Sequence, residues 1–166
     1  MILPYQHSFQ VQHDPELRIM RFQWVGAPNP RALRNGMRYC RDLVAALRPH
    51  YVLVDFQGMP PVEMRDELWM SVHWFPRVSR RPLRAVAVIY SRDQLHNQMA
   101  VEAMLLVGRR LMHYQLQVFE DAFAAYDWFT NGDTEAGLRL MGEWDATRSL
   151  CALDSHAEQS ELARLW

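Results

Sequence analysis

Apolar and polar residues alternate over the first part of the chain as they do in half-buried strands. The alternation covers residues 9–12 and again residues 17–25, where Met20, Phe22 and Trp24 share one face. Period-two alternation places successive side chains on opposite faces of a strand, and the Asp-Pro pair between the two segments favours a turn. The pattern therefore predicts an antiparallel hairpin with one buried face.

Short segments that are apolar almost throughout follow at residues 51–56 and 85–90. Each is too short for a typical helix and is rich in β-branched or aromatic residues, which favours a strand buried on both faces. Residues 114–119 alternate once more, and we predict a further strand there.

Between these segments, apolar residues recur at three- and four-residue steps, which is the spacing of amphipathic helices. This spacing predicts helices over residues 30–48, 63–75 and 97–112, and a short helix over 122–129. In the second helix, the residues expected to face the core are Met64, Leu68, Val72 and Phe75.

The predicted order of elements is ββαβαβαβα. Helices between strands imply right-handed crossovers and a mostly parallel sheet, to which the first hairpin adds an antiparallel edge. We therefore predict an α/β domain over residues 1–132, with helices packed on the central sheet. Residues 133–166 fall outside the pattern and are expected to form a weakly helical C-terminal extension.

Composition narrows the class of protein. A chain of 166 residues with 49% hydrophobic residues can form one domain with a substantial core. Its net charge of -1 provides no general attraction to nucleic acid or to an anionic membrane. No segment approaches the roughly 18 apolar residues of a transmembrane helix, and the N-terminus does not resemble a signal peptide. We expect a cytoplasmic protein that binds no nucleic acid and does not insert into membranes.

The sequence lacks the common motifs of catalysis and metal binding. Cys40 and Cys151 form no CxxC motif, and the seven histidines show neither HxxxH nor HExxH spacing. GxSxG, GxGxxG and P-loop motifs are also missing. Cys40 lies on the apolar stripe of its helix, as a core residue would. We therefore expect no catalytic residues, no metal and no cofactor, and a protein that is not an enzyme.

The carboxyl end of the strand at residues 51–56 is the first candidate for a recognition site, because open α/β sheets usually keep their working loops there. The candidate residues are Asp55, Gln57, Gly58, Glu63 and Asp66. A carboxylate at the end of a buried strand needs hydrogen bonds. Asp55 could therefore bind a partner or ligand together with the two later acids, or it could hold the turn through loop amides.

Two further features could take part in recognition. Trp69 and Trp74 lie on one predicted helix, and tryptophan is enriched in binding hot spots, so Trp74 could serve either the core or an interface. Arginine forks suit phosphate groups and acidic partner surfaces, although such residues can equally form a solvated loop. The local basic cluster consists of Arg77, Arg80, Arg81 and Arg84.

Three segments carry a family resemblance. They are Val52-Leu53-Val54-Asp55 before a helix, Ala85-Val86-Ala87-Val88 after a Pro/Arg loop, and the acid- and alanine-led helix entry from Phe119 to Trp128. With the order of elements over residues 8–131, they resemble a STAS-like domain, the fold of anti-sigma-factor antagonists and of the cytoplasmic domain of sulfate transporters. Trp24-Val25-Gly26 resembles the edge hairpin of a small bacterial variant of unassigned function.

Phosphorylatable members of that family carry a serine shortly after the strand's aspartate. Residues 55–63 contain no serine or threonine, and the first hydroxyl downstream is Ser71. Either the domain is not a phospho-switch, or Glu63 supplies a fixed negative charge near the helix start. Glu63 could also have only a structural role, because a negative charge near a helix N-terminus stabilises the helix.

The resemblance implies a non-enzymatic regulatory module that acts by contact with another, unidentified protein, or with a second copy as a homodimer. The alternative is a small-molecule or lipid-binding domain. In that case a Met- and Trp-lined pocket would lie between the edge hairpin and the helices.

Overall fold

The sheet follows the chain, with its antiparallel part first. The computed structural model describes residues 1–6, 8–25, 30–90, 99, 102–103, 106 and 112–147. Within these residues the sheet has six strands in the order β1 to β6, antiparallel from β1 to β3 and parallel from β3 to β6. The strands are β1 (Ile2–Gln6), β2 (Phe9–Asp14), β3 (Ile19–Trp24), β4 (Tyr51–Asp55), β5 (Ala85–Ile89) and β6 (Gln115–Phe119). The predicted mixed α/β class is confirmed.

Helices connect the parallel strands and follow the last one. A π-helical segment (Met70–Trp74) joins α2 to α3. Residues 99, 102, 103 and 106 are helical, as predicted for the region between β5 and β6, while the rest of that predicted helix before residue 112 lies outside the described residues. The described helices are α1 (Pro30–Leu47), α2 (Met64–Trp69), α3 (Phe75–Ser79), α4 (Ala122–Thr130) and α5 (residues 134–147).

The two faces of the sheet pack against different helices, because alternate residues of each strand point to opposite sides. Met20 and Val52 belong to a core cluster with residues of α1, the π-helical segment and α3. Ile19 and Leu53, their neighbours in the chain, belong to a second cluster with residues of α4 and α5. We call these the α1 face and the α5 face.

Strand β1 is an element that the sequence pattern did not predict, so the antiparallel edge is a three-stranded meander rather than a hairpin. Its register with β2 is irregular between Leu3 and Gln6, and Pro4 lies within this irregularity. Proline is tolerated on edge strands and at bulges because no ladder hydrogen bond is then lost. Pro4 therefore argued against a strand in the sequence, although the irregular register of β1 accommodates it.

Residues 134–147 form one continuous helix that belongs to the core, whereas we expected only weak helicity in an extension. Leu140 and Trp144 are fully buried, and the side-chain nitrogen of Gln12 donates to the backbone oxygen of Leu140 at 2.9 Å. The Asp133 carboxylate accepts a hydrogen bond from the Ala136 amide and starts the helix. Residues 148–166 lie outside the described part of the chain.

Candidate functional site

The outer face of α2 and of the π-helical segment exposes three aliphatic side chains in a row. Met64, Leu68 and Val72 follow one another at four-residue steps, and they are 84%, 65% and 56% exposed. Residues four apart lie on the same helix face, so these three form one strip, which we call the α2 stripe. The prediction that they face the core is wrong; of the four residues expected there, Phe75 is the buried one.

A buried carboxylate sets the rotation of α2. Asp66 is buried, and its Oδ1 accepts a hydrogen bond from Nε of Arg34 in α1 at 2.6 Å. Arg34 also donates to the backbone oxygen of Arg65, so one guanidinium ties α1 to the first turn of α2. Residues two apart point in nearly opposite directions on a helix. Because Asp66 points inward, Met64 and Leu68 point outward.

The two tryptophans of this region are half-buried and already have partners. The guanidinium carbons of Arg34 and Arg38 lie 5.4 and 5.3 Å from the centroid of the Trp69 ring, within the range of cation–π attraction. Trp74 donates from Nε1 to the backbone oxygen of Met37. Trp74 therefore packs against α1, and Trp69 borders the α2 stripe on the α1 side.

Arginines of α1, of α3 and of the turn after α3 surround an open groove. Arg41 pairs with Asp42 at 2.7 Å, and Arg77 donates back to the backbone oxygen of His73, next to Val72. Four guanidinium groups face one carboxylate here, so the surface is strongly positive. We call it the basic groove; it is lined by Arg41, Asp42, Arg77, Arg80 and Arg81.

The groove differs from the group of arginines that the sequence suggested. Arg84 is not among the residues that line it; its amide donates to the backbone oxygen of His50 at 2.7 Å at the start of β4. There, burial and the charges of Arg18 and Arg84 lower the pKa of His50. Arg41 joins the groove because α1 packs against α3. Proximity along the chain could not have indicated that residue.

Asp55 lies inside the domain, on the α5 face of the sheet. Its side chain is 2% exposed and pairs with Nη2 of Arg21, itself 6% exposed, at 2.8 Å. Its second oxygen accepts the Gln57 amide at 3.1 Å. The Trp144 ring covers the guanidinium, with its centroid 4.0 Å from Arg21 Cζ. This geometry favours the structural alternative for Asp55, and it separates Asp55 from Asp66, which pairs with α1.

The loop after Asp55 is fitted closely to the neighbouring strand. Gln57 and Gly58 are exposed, and Met59 after them is buried. Gly58 has a φ of +76°, and a Cβ there would approach the backbone oxygen of Trp24 to 3.2 Å. The turn therefore requires glycine.

Glu63 stands at the entrance to α2 and remains exposed. Its carboxylate pairs with Nε of Arg65 at 2.8 Å, and it makes no side-chain capping hydrogen bond. The backbone oxygen of Glu63 accepts the amides of Asp66 and Glu67. Its negative charge is thus partly offset by Arg65, and an exposed pair of this kind stabilises a protein only weakly.

A polar network that the sequence did not indicate lies beneath α5. Gln12 accepts a hydrogen bond from the Tyr126 hydroxyl at 2.8 Å and donates to Glu143 at 3.0 Å. Burial raises the pKa of Tyr126 to about 12, so the phenol remains a donor at neutral pH. The N-terminal ammonium of Met1 also donates to Glu143, at 2.9 Å. These contacts join β2, α4 and α5 and serve packing.

Within the described ranges, no group of three or more histidine, cysteine, aspartate or glutamate residues could hold a metal ion. None of the helices in this part of the chain has the length and apolar character needed to cross a bilayer.

Comparisons of the chain with protein-family models, curated proteins and solved structures gave no match. The resemblance to STAS-like domains stays a prediction.

Proposed function

We propose that this protein is a non-enzymatic protein-binding module of the STAS-like kind. Its recognition surface is the α2 stripe together with the basic groove, and its ligand is an acidic amphipathic helix of a partner protein. The single observation that carries the proposal is the α2 stripe, which leaves three aliphatic side chains in water on a helix whose buried face is already occupied.

The apolar contribution comes from Met64, Leu68 and Val72. Full burial of such a side chain contributes about 1.5–3 kcal/mol, so a partner that covers all three gains roughly 5 kcal/mol before the cost of association. Association alone consumes a gain of that order. The stripe therefore needs a second contact to give useful affinity.

The basic groove provides that second contact. Arg77 follows Val72, the last residue of the α2 stripe, along the chain and donates to the backbone oxygen of His73, and we take the groove as the second contact of the same partner. Arginine binds carboxylates through paired, charge-assisted hydrogen bonds. A helix that fills an apolar strip uses anchors three or four residues apart, and here its far end would meet several guanidinium groups. Charge complementarity thus selects a partner helix with acidic residues at one end.

Site-specific photocrosslinking in cells tests the proposal. A photoreactive benzophenone amino acid is placed at position 68, and position 138 is the matched control, because Leu68 and Leu138 are 65% and 59% exposed. Leu138 lies on α5, on the other side of the sheet. We expect a discrete protein adduct from position 68 and none from position 138. The double substitution Met64→Ser and Val72→Ser should remove it.

Mass spectrometry of the adduct identifies the occupant. An acidic amphipathic helix in the crosslinked peptide supports the proposal. An adduct with twice the mass of the chain would make a second copy the occupant, and a lipid adduct would indicate a membrane surface; either result contradicts the proposed partner. Equal adducts at the two positions, or none at position 68, would contradict the recognition surface itself.

A further inference from the structure

An apolar cavity of about 80 Å³ lies between the sheet and the helices of the α1 face. It occupies the place where the alternative function expects a pocket, between the edge strands and the helices. Among the described residues that line it are Phe9, Phe22, Met37, Cys40, Met70 and Trp74.

The cavity is larger than an ordinary packing defect. Protein interiors contain few voids larger than one water molecule, and a water molecule in the liquid occupies about 30 Å³. A volume of about 80 Å³ therefore has room for a chain of a few carbon atoms or for one small molecule.

The polar groups of the cavity wall described below are hydrogen-bonded or uncharged. The Trp74 indole donates to the backbone oxygen of Met37, and the Tyr114 hydroxyl lies 3.5 Å from the Ser79 hydroxyl. Burial raises the pKa of the Cys40 thiol well above its usual value, so the thiol stays neutral. Apolar cavities of this kind exclude water and accept apolar molecules.

The π-helical segment forms part of the wall, with Met70 and Trp74 at its two ends. The Phe75 amide donates to the backbone oxygen of Met70, five residues earlier, which widens the helix at this point. Single π-helical turns occur frequently at functional sites. This is a second observation, separate from the volume, that points to a ligand.

We infer that the cavity binds a small uncharged apolar molecule or the end of an alkyl chain. Tyr114 and Leu116 line both the cavity and an outer depression that also contains Tyr90 and Met112, so in this proposal a ligand enters between these two residues. The buried Tyr90 hydroxyl has no hydrogen-bond partner among the described residues. It can bind the polar head of an alkyl ligand at the mouth. This site is independent of the outer α2 stripe.

NMR of methionine methyl groups tests the inference with two probes, xenon and hexan-1-ol. We expect saturable shifts at Met37 and Met70 with both probes, and no shift at Met141, which packs on the α5 face. A free small molecule is the better ligand if xenon alone saturates. An alkyl chain is the better ligand if hexan-1-ol also shifts Met112 at the entrance. No saturable shift at Met37 and Met70, or an equal shift at Met141, would overturn the site.

A cavity-filling variant supplies a second measurement. Cys40→Met extends a side chain into the cavity and should weaken the binding of both probes at least tenfold. Leu140→Met on the α5 face is the matched control and should leave their affinities unchanged. Should Cys40→Met fail to fold, Val44→Ile fills part of the same wall. Undiminished binding in the folded filling variant would contradict the inference.

Discussion

Loss of the Asp55 carboxylate should destabilise the domain strongly, because it would leave the Arg21 guanidinium charged and buried. Asp55→Asn removes the negative charge and keeps one acceptor oxygen for two donors, the Arg21 guanidinium and the Gln57 amide, while Gln23 Oε1 accepts from Arg21 at 3.3 Å. Arg21 Nε and Nη1 are already buried without hydrogen-bond acceptors among the described residues, so little compensation is available. Breaking a buried pair by removing one partner costs about 3–5 kcal/mol, and we expect about 4 kcal/mol here.

Urea unfolding followed by tryptophan fluorescence measures this change. With a slope of about 2 kcal/mol per molar urea, the midpoint should fall by roughly 2 M. A loss of that size is a large part of the 5–15 kcal/mol, roughly, that stabilises a typical domain.

Two matched variants separate a buried pair from a general effect of removing charge. Asp42→Asn breaks the Arg41–Asp42 pair, in which the aspartate side chain is 64% exposed, and should cost no more than about 1 kcal/mol. The double variant Arg21→Met with Asp55→Leu should recover most of the stability, because apolar replacement of a whole buried pair is often neutral. A loss below about 1 kcal/mol in Asp55→Asn would contradict the expected cost of leaving the Arg21 charge buried and unpaired.

Three further predictions follow from the site, the cavity and the buried histidine. Arg81→Glu in the basic groove should weaken binding of the partner peptide identified by crosslinking about tenfold, a loss of about 1.4 kcal/mol in a fluorescence titration. Arg84→Glu, outside the groove, should leave this affinity unchanged. In urea unfolding, Val44→Ile at the cavity should be neutral or stabilising by up to about 1 kcal/mol, while Ala87→Val in the filled α5 face should cost about 1–3 kcal/mol. Burial holds the pKa of His13 below its usual value of 6.5, so its neutral form stabilises the fold above that pH. This contribution should fade as pH falls below 6.5, and His13→Phe should remove that part of the pH dependence of the urea midpoint.

The strands of the central sheet could be predicted because both neighbours and both faces constrain them. Tyr51–Asp55 and Ala85–Ile89 are buried runs of β-branched and small residues, and their predicted positions agree with the structure. Strand β1 could not be predicted in this way, because an edge strand has one partner and tolerates Pro4.

The rotation of α2 could not be predicted from its own residues. Hydrophobic spacing places aliphatic residues inward and charged residues outward, and α2 reverses this at Asp66. The cause is Arg34, which lies 32 positions earlier in the chain. A charged side chain can be predicted to be buried only when its partner is known. The spacing of residues within one helix does not reveal that partner.

Candidate residues were predicted with the same limitation. Asp55 was predicted as a candidate partner- or ligand-binding residue; in the structure it pairs with Arg21 of another strand, which the Trp144 ring of α5 covers. Likewise, Arg41 of α1 lines the groove and Arg84 does not; the Arg84 amide instead donates to His50 at the start of β4. Contacts between distant segments decided each of these outcomes.

Methionine oxidation mapped by mass spectrometry tests the exposed α2 stripe most directly. Met64 is largely exposed and Met70, six residues later, is buried in the same helical unit. We expect dilute peroxide to convert Met64 to the sulfoxide at close to the rate of an unfolded methionine, while Met70 reacts only as fast as the protein opens. Addition of the crosslinked partner should slow the oxidation of Met64. If Met64 is as protected as Met70 in the isolated protein, α2 faces the other way and the proposed recognition surface does not exist.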